Sequence, residues 1–356
     1  MPDEGLCAPC RCTWLRLSHY RLIWPSNVLN GAGHDVAIMP PQKDSGFMAK
    51  IDSLPDGTEQ LTGLRIPADA DVIVLQRPSH PLQPAMIRMI RSNGIAVVVD
   101  MDDDMSSIHP DNIAFHMYRP RSGTMYSWRH AVECCKAATL VTTSTKLLQG
   151  VYAKHGRGAV LDNYIPAAYL DFPTSESGAF GWAGTTKSHP NDLQTTIPSV
   201  QRLIGDGYRF KVVGGRSKVK ECLRLPEAPD VTGSVPLNRW VATISEELDV
   251  GMIPLAATAF NSSKSRLKGI EYMAVGVPWV ASPREEYRRL HRESGCGLLA
   301  DNPKDWYSKL KLLMDDDVMR KEQAEAGREY MQTQTYQANA WRWLEAWTRA
   351  LEIERG

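Results

Sequence analysis

Short apolar runs alternate with longer segments of helical periodicity along most of the chain. This alternation is typical of parallel sheets wrapped by helices. In the first half, residues 72–75 and 95–99 are almost entirely apolar, as expected for strands buried on both faces. The pattern predicts strands at 12–17, 35–39, 71–75, 95–100, 139–142 and 159–161, and helices at 81–92, 126–138 and 145–155.

Residues 163–178 interrupt this rhythm with prolines, serines and a glycine, and they are interpreted as an interdomain linker. Beyond them the alternation restarts. Strands are predicted at 179–183, 210–213, 250–253, 277–281 and 297–299, and helices at 192–204, 237–246, 263–274, 303–314 and 317–332. We therefore expect two doubly wound domains, 1–165 and 166–335. Residues 336–356 are expected to form a helix that packs back toward the N-terminal domain, because Leu344, Trp347 and Leu351 share one face.

Composition narrows the class of protein. At 356 residues the chain exceeds what one hydrophobic core usually supports. The 41 basic and 41 acidic side chains balance, so no global attraction to nucleic acid is indicated. We expect neither a membrane span nor a secretory signal. We expect a cytoplasmic location. The seven cysteines favour a reducing compartment. Cys7, Cys10 and Cys12 lack a second ligand pair, so ordinary thiols are favoured over a zinc site.

The segment 249–283 combines features of an anion-binding site. It predicts a strand, a loop and a helix that begins at Ser262 or Ser263, with the serine as N-cap and the next amides free to bind an anion. Lys264, Lys268 and Glu271 follow at spacings of four and three and would share a helix face. Two lysines could offset the charge of a diphosphate, and the carboxylate could accept hydrogen bonds from ribose. A solvated basic helix face is the alternative.

Residues 264–282 (KSRLKGIEYMAVGVPWVAS) resemble the donor-binding signature of GT-B glycosyltransferases, especially the retaining group related to glycogen synthase and bacterial sugar transferases. Phage and actinobacterial members carry similar KS-x-LK-x-x-EY segments. The resemblance implies two Rossmann-like α/β domains facing across a cleft, a UDP- or GDP-sugar donor, and no required cofactor or metal. In the family's Glu-x7-Glu pattern, Glu271 matches the second, ribose-binding glutamate. Ser263 stands at the first position, so the pattern is broken.

Further donor residues are implied by the same resemblance. Residues 180–192 resemble the family's glycine-rich turn near the donor phosphate, and 233–236 resemble the turn that contacts the donor base. Arg216 follows a predicted strand at the expected cleft edge. The implied donor-binding residues are Gly184, Thr185, Lys187, Arg216, Val235, Ser263, Lys264, Ser265, Lys268 and Glu271. Arg216 and Lys264 are also predicted to be catalytic, together with Asp102.

The acidic run 100–104 (DMDDD) follows a predicted strand. It could be an Asp-x-Asp metal site of the other major sugar-transferase fold, or the acidic cluster of a phosphorylatable receiver. Because the donor-like segment lies in the second half, we favour carboxylates that orient an acceptor hydroxyl, with a solvated capped loop as the alternative. The acceptor-side candidates are Arg21, Arg77, Asp100, Asp103, His109, Arg119 and Arg121.

The acceptor itself is left open by the sequence. Residues 119–136 interleave basic and aromatic side chains, which suits nucleic acid or an anionic glycan, or simply a helix start with core contacts. The phage-like resemblance favours hydroxymethylated pyrimidines in DNA, in which case the location would be a host cytoplasm; proteins and saccharides compete. His19, His80, His109 and His189 lie near predicted loop edges, where each could be a base or an ordinary surface histidine. A nucleotide-sugar epimerase and a non-catalytic GT-B binding module remain alternative functions.

Overall fold

The computed structural model describes residues 18–38, 48–67, 69–121, 126–174, 176–215 and 218–356. It divides into two compact α/β units. The N-terminal unit comprises residues 1–106, 117–163 and 339–356, and the C-terminal unit comprises 107–116 and 164–338. The predicted strand 12–17 and the cysteine cluster of Cys7, Cys10 and Cys12 lie outside the described residues. Cys134, Cys135, Cys222 and Cys296 are free thiols.

The N-terminal unit contains a four-stranded parallel sheet and a separate hairpin. All six residues of the second sheet strand are buried, which explains why its sequence is apolar except for Asp100. The predicted strands from 71 to 161 are confirmed within two residues at each end. The hairpin consists of β1 Met48–Ser53 and β2 Glu59–Arg65; the sheet consists of β3 Val72–Gln76, β4 Ala96–Met101, β5 Leu140–Thr143 and β6 Gly158–Val160, in chain order.

The predicted and the observed strands of this unit differ at two places. The hairpin β1–β2 was not predicted, because its mixed polar sequence lacks a clear alternation. Residues 34–38, expected to begin a strand, have no regular secondary structure. The side chain of Asn30 explains this, since it accepts from the backbone N–H of Val36 at 2.8 Å and donates to the Val36 carbonyl at 2.9 Å. These two bonds occupy the groups that Val36 would offer to a neighbouring strand.

Helices pack against this sheet. Ser127 and Thr145 cap two of them, each accepting from a backbone N–H in the first turn. The helical segments are a π-helical turn His19–Ile23, α1 Trp24–Gly31, α2 Gln83–Arg91, the short 3-10 turn Met105–Ser107, α3 Phe115–Tyr118, α4 Trp128–Ala137, α5 Lys146–Tyr152 and the C-terminal helix Trp341–Arg355. The C-terminal helix buries Trp343, Ala346, Trp347 and Ala350, so its packed face is turned slightly from the predicted one.

A buried ion pair holds the N-terminal unit together. Arg21 is fully buried, and its guanidinium donates to both oxygens of Asp100 at 3.0 and 2.7 Å. The same guanidinium donates to the Leu161 carbonyl and to Asn163 Oδ1. The indole of Trp343 donates to the Arg21 carbonyl at 2.9 Å and so ties in the C-terminal helix. Arg21 and Asp100, predicted as acceptor-side residues, are thus buried against each other inside the unit, and their acceptor-side role stays a prediction.

The C-terminal unit contains a six-stranded sheet in which every pairing is parallel. The strand order reverses between its two central strands, which is the topological switch point of a doubly wound sheet. The strands are β7 Ala179–Ala183, β8 Arg209–Val213, β9 Asp230–Val231, β10 Val250–Ile253, β11 Trp279–Ala281 and β12 Leu298–Leu299, in the order β12-β11-β10-β7-β8-β9. The predicted α/β fold class with parallel sheets is confirmed.

The helices of the C-terminal unit surround a core that includes Trp182, Phe180 and Trp306. The five helices predicted in this unit are found close to their predicted bounds, except at 263–274, whereas the helices Val219–Leu223 and Glu285–Ser294 were not predicted. The helical segments are the 3-10 turns Ala167–Asp171 and Leu193–Thr196, α6 Ile197–Gly205, α7 Val219–Leu223, α8 Leu237–Glu247, α9 Ala259–Ser262, α10 Leu267–Ala274, α11 Glu285–Ser294, α12 Pro303–Asp315, α13 Asp317–Gln332 and α14 Tyr336–Asn339. In the described part of the chain, no helix is long and apolar enough to cross a membrane.

Residues 107–116 belong to the C-terminal unit, although the sequence placed them in the N-terminal domain. Two hydrogen bonds explain this. The backbone N–H of Ile113 donates to the Lys187 carbonyl at 3.0 Å, and Asn112 Nδ2 donates to the Ser188 carbonyl at 2.9 Å. Both acceptors are main-chain carbonyls, so no pattern of side chains in the sequence predicts these contacts.

Replacing Arg21 by alanine tests the buried ion pair. The substitution leaves the Asp100 carboxylate buried without its cation, so we expect the N-terminal unit to lose about 3–5 kcal/mol of unfolding free energy. Urea unfolding followed by circular dichroism measures this loss. The control is Arg355→Ala, which removes the exposed Arg355–Asp71 pair and should cost at most about 1 kcal/mol. Equal losses in the two variants would contradict the assignment.

Candidate functional site

The chain segments that follow β7 and β10 carry a cluster of charged and polar side chains in the C-terminal unit. In doubly wound sheets ligands bind at the carboxyl ends of the strands, next to the switch point. Here that point lies between β7 and β10. His189 and Asp192 follow β7, and β10 is followed by Asn261 on α9 and by Lys264 in the turn after it.

Asp192 connects these two segments. Its side chain is 1% exposed. Oδ1 accepts from the backbone N–H of Ala256 at 2.9 Å and from Asn261 Nδ2 at 2.6 Å, and Oδ2 lies 3.0 Å from His189 Nδ1. Burial alone raises the pKa of this carboxyl, but the bonds from His189 and Ala256 outweigh it and the pKa is lowered. Asp192 is therefore an ionised carboxylate that fixes both segments.

His189 lies against the same aromatic ring as a lysine. Its imidazole meets the Trp182 indole edge-on at 6.2 Å, and the Lys268 ammonium lies 5.1 Å from the Trp182 ring centroid. Burial, together with the positive charges of Lys268 and Lys264, lowers the pKa of His189 to about 4, against the bond from Asp192. Asn191 adopts a left-handed conformation that turns the loop between the two partners.

Lys264 and Lys268 do not share one helix, as was predicted: Lys268 lies on α10 and Lys264 lies before it. The expected single helix from 263 is two pieces, α9 and α10, with Lys264 and Ser265 in the turn between them. Thr258 caps α9, whereas the buried Ser263 follows its last residue and donates its hydroxyl to the Phe260 carbonyl. The predicted role of Ser263 as an N-cap is wrong. The Lys264 ammonium lies 4.3 Å from the Phe260 ring centroid.

Glu271 lies on α10 and is 2% exposed. Trp240 Nε1 on α8 donates to its Oε2 at 3.3 Å, so the indole orients the carboxylate. The next residue, Tyr272, accepts at its hydroxyl from the Ala183 N–H at 2.9 Å. This bond ties α10 to the last residue of β7, so the helix that carries Lys268 and Glu271 is held directly against the candidate site.

The glycines after β7 and β8 allow the two strand ends to approach closely. Gly184 donates its N–H to the Val213 carbonyl at 2.9 Å. A Cβ on Gly214, whose φ is +142°, would lie 2.3 Å from the Gly184 carbonyl oxygen. Thr185 accepts at its hydroxyl from the Lys187 N–H, and the Lys187 side chain is exposed. Val235 is half-buried before α8. Arg216 lies outside the described residues.

A second polar cluster lies at the carboxyl ends of β3 and β4 in the N-terminal unit. Arg77, in a left-handed conformation with φ 49°, donates to Asp102 Oδ1 and, at 3.0 Å, to Asp103 Oδ2. Asp102 is 6% exposed, and its Oδ2 has no hydrogen-bond partner among the described residues. The same holds for Gln76 Nε2 at the end of β3. Burial raises the pKa of Asp102, and the charge of Arg77 opposes that rise.

The remaining acceptor-side candidates are not gathered at this cluster. His109 belongs to the C-terminal unit, where its Nε2 lies 3.2 Å from Asn191 Nδ2, so it lies beside the His189 loop. Arg119 and Arg121 are exposed residues next to the undescribed positions 122–125. Within the described ranges, no three His, Cys, Asp or Glu side chains are grouped as ligands for a metal ion.

Sequence reasoning missed Asp192, Asn261 and Trp240 as site residues. The spacing H-x-x-D at 189–192 was the available signal, because two side chains three apart at a strand end meet readily. It was not used, since histidines are common at loop edges. Asn261 and Trp240 have no signal of their own, because their roles depend on tertiary contacts with Asp192 and Glu271.

Comparison with known proteins shows which protein family the segment around this site resembles. Residues 178–316 match the family model described as "Glycosyl transferases group 1", a range that includes His189, Lys264 and Glu271. A search among curated protein sequences returns no significant match.

Solved glycosyltransferase structures share the fold. A sucrose-phosphate synthase from Thermosynechococcus elongatus aligns with a TM-score of 0.59 at 12% identity, covering 93% of each chain. Anabaena HepE in complex with UDP gives 0.55 at 14% identity, covering 78% of each chain. S. aureus TarM in complex with fondaparinux, α-GlcNAc-glycerol and UDP gives 0.52 at 14% identity over 72% of this chain, which spans about half (51%) of TarM. At these identities the likeness establishes the fold alone.

Substituting Gly214 tests the close approach of the two strand ends. In Gly214→Ala the new methyl group overlaps the Gly184 carbonyl, so we expect a loss of about 1–3 kcal/mol in stability. Gly215→Ala is the matched control, because a Cβ there meets nothing within 4 Å. Thermal melting of both variants measures the effect. A Gly214→Ala protein that melts like Gly215→Ala would contradict this account of the turn.

Proposed function

We propose that this chain is a glycosyltransferase that moves a sugar from a nucleotide-diphosphate donor to an acceptor hydroxyl. The observation that carries the proposal is the cluster at the carboxyl ends of β7 and β10. There Lys264 and Lys268 lie close enough to His189 to lower its pKa, beside the fixed carboxylate Asp192. This cluster falls within the range matched by the glycosyltransferase family model.

The charges of this cluster suit the chemistry of sugar transfer. When the bond between the sugar and the diphosphate breaks, negative charge builds up on the departing phosphate. The Lys264 ammonium lies over the Phe260 ring and the Lys268 ammonium over the Trp182 ring. These contacts hold the two positive charges in place before the donor binds, so the charges are preorganised. Arg216, predicted from the sequence to act on the same phosphate, keeps that role as a proposal.

The nucleoside is proposed to bind toward α8 and α10. Glu271 is oriented by Trp240, and one carboxylate oxygen of a glutamate suffices to accept from a ribose hydroxyl. Gly184, Thr185, Lys187, Val235 and Ser265 complete the proposed donor site. UDP is favoured over GDP as the nucleotide, because two of the solved relatives described above contain UDP. Retention of the anomeric configuration is proposed from the sequence resemblance to the retaining group.

The acceptor hydroxyl is proposed to bind at Asp102. A hydroxyl group both donates and accepts, and the carboxyl edge of the N-terminal sheet offers a buried acceptor, Asp102 Oδ2, and a buried donor, Gln76 Nε2, that no described residue satisfies. Arg77 and Asp103 would orient Asp102. Hydroxymethylated pyrimidines in DNA remain the acceptor predicted from the sequence, and saccharides and proteins are the alternatives to be screened beside them.

The first experiment is a donor screen. Thermal shift and donor hydrolysis without acceptor are followed with UDP-, GDP-, ADP- and dTDP-glucose. The proposal expects one nucleotide class to stabilise the protein and to be released. If no nucleotide sugar binds, the sugar-transfer proposal is abandoned in favour of a binding module, which the serine at position 263 would suit. If the donor sugar changes configuration without acceptor, the chain is an epimerase.

Removing either lysine should weaken donor binding. We expect Lys264→Ala and Lys268→Ala each to lose about 10–100-fold in affinity for the stabilising nucleotide sugar, since a charge-assisted hydrogen bond contributes about 1.5–3 kcal/mol. Isothermal titration calorimetry measures the affinities. Lys321→Ala, on the exposed surface of α13, is the control and should bind like the wild type. Unchanged affinity in both lysine variants would contradict the proposal that the diphosphate binds at this cluster.

Asp102→Asn separates acceptor binding from donor binding. The amide lacks the negative charge that would hold an acceptor hydroxyl, so we expect sugar transfer to fall at least about tenfold while donor affinity stays unchanged. The readout is product formed on the best acceptor of a screen that includes hydroxymethylated DNA. Asp52→Asn, exposed on β1, is the control. Full transfer activity in Asp102→Asn would exclude the acceptor role.

A further inference from the structure

We propose that His189 takes up a proton at Nε2 when the diphosphate of a nucleotide sugar binds beside Lys264 and Lys268, and then donates a hydrogen bond to that diphosphate. The inference rests on the proposed function, because it concerns the same donor site. It adds a binding residue that the sequence resemblance did not imply, and it makes donor affinity depend on pH.

The first step is the tautomer of the free protein. Both oxygens of Asp192 accept hydrogen bonds, and Oδ2 faces His189 Nδ1 at 3.0 Å. An ionised carboxylate has no proton to give, so the proton must lie on Nδ1. In neutral His189 the other nitrogen, Nε2, therefore carries a lone pair. A lone pair cannot donate to a phosphate oxygen and would repel it.

The second step is the charge around the imidazole. In the free protein, burial and the two lysines hold the pKa of His189 at about 4, so the ring is neutral near neutral pH. A nucleotide sugar brings a diphosphate with two negative charges to the lysines. These charges offset the repulsion from Lys268 and Lys264, which adds to the larger effect of burial, and they attract a protonated ring that Asp192 already stabilises. One proton from solvent then binds Nε2, and no covalent bond in the donor changes.

Other titratable groups also lie near this loop. Lys187 is exposed and precedes the loop, and its carbonyl accepts from Ile113. His109 approaches from residues 107–116, with its Nε2 toward Asn191 and its Nδ1 3.7 Å from Asp111. The pyrophosphate diester of a nucleotide sugar does not titrate near neutrality, so the ligand itself contributes no proton change.

The direction of the pH dependence follows from the proton count. The complex holds one proton more than the free protein at any pH between about 4 and the pKa of His189 in the complex. Affinity must therefore fall as pH rises through this window, by up to about tenfold per pH unit. Above the pKa of the complex, affinity no longer changes with pH.

The experiment is calorimetric titration of the full chain with the nucleotide sugar that stabilises it most in the donor screen. Titrations at about pH 6 in two buffers of different ionisation enthalpy give the number of protons taken up. We expect about one proton for the wild type and none for His189→Gln, which keeps an amide donor but cannot be protonated. Affinity of His189→Gln should also lose its slope between about pH 5 and about pH 7.

The control is His155→Gln. His155 is also a half-buried histidine with a lowered pKa, but it bonds to the Cys135 carbonyl in the N-terminal unit. This variant should keep the proton uptake of the wild type. If the wild type binds the nucleotide sugar without proton uptake, the inference on His189 is overturned while the sugar-transfer proposal stands. If uptake persists in His189→Gln, another group carries the proton and the inference is equally wrong. If no nucleotide sugar binds at all, the proposed function itself fails.

Discussion

The candidate donor site depends on one buried carboxylate, that of Asp192. Its two oxygens receive hydrogen bonds from three groups: the His189 ring, the Ala256 amide and the Asn261 side chain. These groups belong to the chain segments after β7 and β10, so a single charge joins the two segments at the switch point of the sheet. Removing a partner would leave a charge buried and uncompensated, which is why such a group tolerates only one arrangement of its neighbours. The positions of Lys264 and His189 follow from that arrangement.

Asp100 plays the corresponding part in the N-terminal unit. It accepts from Arg21 on the first described helical segment and from Thr142 on β5. Both Arg21 and Asp100 are buried in this pair. Asp100 and Asp102 are both buried but differ in pairing: hydrogen bonds from Arg21 and Thr142 reach Asp100, whereas Asp102 keeps an oxygen that no described residue satisfies. Asp100 and Asp102 therefore have different surroundings, although Asp100 lies within β4 and Asp102 directly follows it.

The sequence predicted most strands of the two parallel sheets well, because buried parallel strands leave a simple signal, but it missed the hairpin β1–β2 and the two-residue strand β9. Residues 179–183 and 250–253 were bounded correctly from their apolar runs alone. The site was predicted less completely. Lys264, Lys268 and Glu271 were identified from spacing, but the helix that carries them begins at Leu267, since α9 is capped separately by Thr258. The spacing of three between His189 and Asp192 was an available signal, but the bonds that join Asp192 to Ala256 and Asn261 span 64 and 69 positions, and periodicity reports only neighbours along one element.

The central claim is that a nucleotide-diphosphate sugar binds at the carboxyl ends of β7 and β10. A crystal structure of the chain with its stabilising nucleotide sugar tests this most directly. The account predicts the diphosphate within about 3 Å of the Lys264 and Lys268 ammonium groups and of His189 Nε2, with the ribose toward Glu271. Density for the nucleotide at any other place, with these three groups unchanged and without ligand contact, would contradict it.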